Sequence, residues 1–100
     1  MPCYSILAIT STTQDWMAAY IPTATRLVAE HGGRYLARTT SHEQIEGPDQ
    51  PARTRVLIEW PSRDAALRFM NDPAYVPHLS ARTKGSESVH FLVDGIDDLA

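Results

Sequence analysis

Hydrophobic positions along this chain switch between a period of two and a period of three to four. Tyr4 to Thr10 alternates as a strand does, with Tyr4, Ile6 and Ala8 on one face and Cys3, Ser5, Leu7 and Ile9 on the other. From Thr13 to His31 the period lengthens. Trp16, Tyr20, Ala24, Leu27, Val28 and His31 then form one helical stripe. Thr12 and Asp15 resemble a capping box at its start, and Gly32-Gly33 is a strong stop at its end. Pro22 inside this segment predicts a kink or a division into two helices. Arg34 to Thr40 and Arg53 to Trp60 read as two further strands, separated by a polar loop. Ser62 caps a second helix from Arg63 to about Asn71, with Ala66, Phe69 and Met70 facing inward. Asp72-Pro73 opens a short piece carrying Tyr75, Val76, Leu79 and Arg82 at helical spacing, made irregular by Pro77. Glu87 to Val93 is the fourth strand.

The order strand, helix, strand, strand, helix, strand predicts an α+β, ferredoxin-like βαββαβ domain spanning residues 1–100. Right-handed crossovers put both helices on one face of a four-stranded antiparallel sheet. The expected core face carries Tyr4, Ile6, Ala8, Tyr35, Ala37, Val56, Ile58, Trp60, Val89, Phe91 and Val93. The opposite face then carries Cys3, Ser5, Leu7, Ile9, Leu36, Arg38, Leu57, Glu59, His90 and Leu92. Its leucines and isoleucine would each forgo roughly 1.5–3 kcal/mol of burial if left in water. A second sheet stacked across a two-fold axis supplies the cover, so a homodimer through the non-helical face is expected, with a cavity between or beside the sheets.

Composition narrows the function classes. A 43% apolar and 21% charged chain is ordinary for a globular domain, and a net charge of -3 with scattered arginines argues against nucleic acid as partner. One cysteine, Cys3, excludes an internal disulfide. The first residues have no basic stretch followed by an apolar run, and no segment has transmembrane length. The expected location is cytoplasmic, with no membrane partner.

Arg38 and Glu59 are the leading candidates for chemistry, since adjacent strands would bring both to the non-helical face. Two readings stand side by side. The pair either neutralises itself at a dimer interface, or Arg38 holds a carboxylate or enolate while Glu59 orients it or takes a proton. His90 shares that face and is either a proton shuttle or a satisfied structural histidine. Leu36 and Leu57 would give the same pocket apolar walls. His31 suits a helix C-terminus, and His42 and His78 suit the surface. His42-Glu43-Gln44-Ile45-Glu46 lacks the second histidine of a zinc helix, and no glycine-rich loop follows a strand. Neither a metal nor a cofactor is expected.

Several stretches resemble a bacterial family catalogued as domain-of-unknown-function family 1330. They are His31-Gly32-Gly33-Arg34-Tyr35-Leu36-Ala37-Arg38, Ile45-Glu46-Gly47, Leu57-Ile58-Glu59-Trp60-Pro61-Ser62-Arg63-Asp64-Ala65-Ala66, and Asn71-Asp72-Pro73-Ala74-Tyr75 followed by Arg82. The resemblance implies a dimeric α/β barrel of ferredoxin-like subunits. That superfamily also holds cofactor-free monooxygenases, isomerases and stress-responsive proteins. In such a barrel the segment bearing Tyr75 and Arg82 lies near the cavity mouth, so both become candidate ligand contacts. The chain departs from the family pattern at Thr39-Thr40, where glycines are usual, and at Ser41-His42.

Three functions compete on this reading. The first is a cofactor-independent enzyme acting on a small organic acid or aromatic compound by proton transfer, or as a monooxygenase. The second is a non-catalytic binding or stress-related dimer. The third is a purely structural dimer.

Overall fold

The computed structural model describes residues 1–100. Its elements are β1 (Cys3–Ser11), α1 (Met17–Glu30), β2 (Arg34–Thr39), β3 (Thr54–Trp60), α2 (Arg63–Met70), α3 (Val76–Lys84) and β4 (Ser86–Asp94). The strands form one antiparallel sheet in the order β2-β3-β1-β4, with the helices on one side. This is the ferredoxin-like arrangement expected from the element order. No helix is long and apolar enough to cross a membrane.

Local chemistry explains most boundaries. Ser62 Oγ accepts the Ala65 amide and caps α2. Gly32 takes a left-handed φ of 81° just past α1, and a side chain at Gly33 would strike the Trp60 ring. The capping box at Thr12 does not form. The Thr12 and Thr13 amides instead donate to the Gly85 carbonyl, as does the Trp16 indole, so α1 begins at Met17. Pro22 does not divide α1, which runs unbroken through it. The bond it deletes would go to the carbonyl of Ala18, an exposed residue whose oxygen water can reach. Pro77 lies in the first turn of α3, where no intrahelical donor is needed, so that helix is regular.

The sheet faces require correction. Cys3, Ser5, Leu7 and Ile9 pair in register with Val56, Ile58, Trp60, His90 and Leu92, and all of these lie beneath the helices. Tyr4, Ile6, Ala8, Leu57, Val89, Phe91 and Val93 lie on the open face. The expected faces of β1 and β4 are thus exchanged, while that of β3 stands. Both faces of β1 are largely apolar, so alternation alone does not orient it. On β4 the more apolar face is the outer one. β2 carries a bulge between Tyr35 and Ala37 that shifts the alternation. Tyr35 therefore faces the helices beside Ile58, Ala37 faces outward beside Leu57, and Arg38 turns inward beside Val56.

Candidate functional site

A partly enclosed cavity of about 120 Å³ lies between the sheet and the helices of this one chain. The expected cavity lay on the other face, between or beside two stacked sheets. Leu7, Ile9, Val56 and Ile58 form its floor, and Trp16, Tyr20, Phe69 and Tyr75 wall it from the helical side. The space is about that of one benzene-sized ring. Packing explains the aromatic wall. Tyr75 lies against Phe69 at 4.0 Å between ring centroids, and Phe69 against Trp60 at 5.2 Å.

The cavity's polar centre is Ser5, only 1% exposed on the central strand. Its Oγ accepts the Trp60 Nε1–H at 2.9 Å and lies 2.8 Å from His90 Nε2. An indole nitrogen only donates, so one Ser5 lone pair is committed. No other partner is present for the Ser5 hydroxyl hydrogen, and leaving it unpaired in the interior would be costly. The satisfied arrangement therefore runs from Trp60 N–H to Ser5 O–H to His90 Nε2. His90 is then neutral with its proton on Nδ1, free to donate. Burial, and next the nearby Arg82 cation, both push the His90 pKa down. The ring accordingly stays uncharged at neutral pH.

The tyrosines form the second polar group. The Tyr20 and Tyr75 hydroxyls are 2.7 Å apart. Burial raises the Tyr75 pKa, Tyr20 raises it further, and Arg82 offsets part of this, so Tyr75 remains protonated. Burial also raises the Tyr35 pKa against the pull of Arg38. The Arg38 guanidinium stacks 4.0 Å over the Tyr35 ring and donates to Thr25 Oγ1 at 2.8 Å. It closes one side of the cavity with its charge still partly in water.

The sequence-predicted residues are split between two faces. Arg38, His90 and Tyr75 line the cavity, and Arg82 lies just behind Tyr20, its Cζ 5.7 Å from that ring. Glu59 faces the opposite way and does not meet Arg38. It pairs with Arg34 at 2.9 Å and accepts from the Tyr4 hydroxyl at 3.5 Å. Leu36 and Leu57 are also exposed away from the cavity. The register sets Arg34 opposite Glu59 on the open face, and the β2 bulge turns Arg38 to the inner face beside Val56. Sequence reasoning missed Ser5, Tyr20 and Tyr35 as site residues. Ser5 did carry a signal, because a lone hydroxyl among apolar residues of a central strand needs a buried partner. The Tyr35–Arg38 stack had none, since i and i+3 share a strand face only across a bulge. His42 is in the loop, with Nε2 3.2 Å from the Arg53 carbonyl, and His31 pairs with Asp72 at 2.8 Å.

The model of a family described as a domain of unknown function (DUF1330) matches residues 2–96, and the chain belongs to that family. No curated protein matches. Among solved structures, the chain is similar to a protein of unknown function from Rhodopseudomonas palustris, at 17% identity and a TM-score of 0.74 over 96% of this chain and 83% of that one. It is similar to SnoaB, a cofactor-independent oxygenase from Streptomyces nogalater, at 22% identity and a TM-score of 0.65 over 98% and 96% of the two chains. An antibiotic biosynthesis monooxygenase is similar at 16% identity and a TM-score of 0.51, over 94% and 99%. At these identities the likeness is one of fold.

Proposed function

We propose that this member of the DUF1330 family is a homodimeric protein that binds a small single-ring compound in the cavity between its sheet and helices. The observation that carries this reading is an apolar, ring-sized space with Ser5 and His90 on its wall, joined in one preorganised polar relay to Trp60 behind them. An apolar ring suits the floor and the aromatic side walls. A hydroxyl or carbonyl substituent suits the His90 Nδ1–H, with Arg38 and Tyr35 at the other side. Stabilisation of a developing oxyanion without a cofactor is the chemistry we assign to this arrangement. The neutral His90 keeps its proton and donates an Nδ1–H hydrogen bond to an oxygen that gains charge, and Ser5 and Trp60 hold its tautomer. Glu59 has no part in this cavity on our reading.

A second reading is oxygenation of an electron-rich ring without a cofactor. It is favoured by the wall of Trp16, Tyr20, Phe69 and Tyr75 together with the fold shared with SnoaB. Fold alone does not carry a reaction from one protein to another.

The test is a titration with phenol followed by amide and indole NMR. Saturable shifts are expected at Tyr20, Val56, His90 and the Trp16 indole. Ile21→Trp, which fills the cavity from its half-exposed rim, should weaken binding at least tenfold. Shifts confined to the open sheet face, or none with any single-ring probe, would overturn the reading.

A further inference from the structure

Arg82 is the one strongly charged group buried in this molecule. It is 2% exposed, yet no carboxylate lies within ion-pair distance. Its Nη1 donates to Ser88 Oγ at 2.8 Å, its Cζ lies over the Tyr20 ring, and it sits in the last turn of α3, where the helix dipole favours a cation. These partners are neutral. Nε, on the edge that a carboxylate grips side-on, has no hydrogen-bond partner at all. A guanidinium cannot shed its proton, so burial leaves it charged. An unopposed buried charge is costly, and a protein keeps one where something else supplies the counter-charge.

Beside it runs a groove between α3 and β4. Met70, Val76 and Leu79 form its apolar side, and Arg82, Ser88 and His90 lie at its polar end, with no acidic residue along it. Met70 and His90 also border the ring-sized cavity, but the groove opens separately to solvent. His90 is neutral, so the groove carries a single positive charge. We infer that this groove is a carboxylate subsite, in which Arg82 and Ser88 hold the anionic group of a small organic acid whose apolar part rests on Met70, Val76 and Leu79. Nε is shielded from solvent in this conformation, so a carboxylate reaches it when a side chain of the groove wall moves aside. The subsite goes beyond the cavity reading and does not depend on it.

The test compares benzoate with benzyl alcohol, which has a similar ring but no charge. Benzoate should bind at least tenfold more tightly, shift the Arg82 Nε–H resonance, and lose affinity as salt rises. In Arg82→Met, which keeps the volume and removes the charge, the advantage of benzoate should vanish. Equal binding of the two probes, or an undiminished benzoate preference in Arg82→Met, would overturn the subsite. If Arg82→Met fails to fold, the wild-type resonance decides: saturating benzoate that leaves Arg82 Nε–H unmoved also overturns it. Phenol shifts around His90 and Tyr20 without a benzoate effect at Arg82 would sink the subsite and spare the cavity. The converse result would do the opposite.

Discussion

At the scale of single residues, the site is organised by a serine rather than by its most charged members. Ser5 joins Trp60 to His90, and removing it orphans a buried indole donor as well as an imidazole acceptor. Ser5→Ala should therefore cost about 2 kcal/mol in urea denaturation, within the range for stranding a buried polar group. A loss of only a few tenths would mean that the relay is not formed. His90 also ties stability to pH. Its folded pKa lies below the ordinary 6.5, so between the two values the unfolded chain binds more protons. Its contribution is complete above about pH 6.5 and is lost as pH falls toward the folded pKa. Only Arg82 is a charged group close enough to contribute, and it acts in the same direction. Urea midpoints of wild type should fall from pH 7.5 to 5.5, and those of His90→Gln should fall less. Equal slopes in the two proteins would remove His90 from the account.

At the scale of elements, what was legible depended on whether a local signal had a single physical meaning. Gly32-Gly33 and Ser62 each did, and the α1 and α2 boundaries they set are the observed ones. The stripe of α1 was equally readable, because Ala24, Leu27 and Val28 fall on the only apolar face that helix has. Thr12 lost its capping role to a distant competitor. Gly85, at the end of α3, takes the Thr12 and Thr13 amides, and its lack of a side chain lets the Trp16 ring approach to a distance that a Cβ would forbid. Such a contact across 69 residues leaves no local trace. The strands failed for a different reason. Alternation gives two faces but does not say which is inside, and on β1 and β4 the outer face is as apolar as the inner. The site inherited that error. His90 and Arg38 line the cavity on the side of the sheet opposite to the expected one, because the bulge at Tyr35/Ala37 turns Arg38 inward, while Glu59 stays on the open face beside Arg34.

At the scale of the whole molecule, the same ambiguity becomes evidence about assembly. On the dimer we propose, the sheet face that mimics a core yet lies open in one chain is covered by a second copy. Leu57, Ile6 and Phe91 sit side by side across β3, β1 and β4, flanked by Val89 with Ala8 and by Val93 with Tyr4. Phe91 is 63% exposed and Val89 54%. Each such side chain forgoes roughly 1.5–3 kcal/mol in water, so stacking the patch on its own two-fold image recovers that twice over. The Arg34–Glu59 pair, at the margin of this face, is self-neutralised and so presents no unpaired charge to a second copy. Phe91→Glu places a charge within the stacked patch without touching the helix side. Sedimentation equilibrium should give a dimer for wild type and a monomer for Phe91→Glu, with the far-ultraviolet circular dichroism unchanged. A dimeric Phe91→Glu, or a monomeric wild type at tens of micromolar, would refute stacking through this face. Because the cavity and the groove are each built from a single chain on the far side of the sheet, the monomeric variant should still bind phenol and benzoate. Loss of both would mean that dimerisation shapes the sites through the sheet itself.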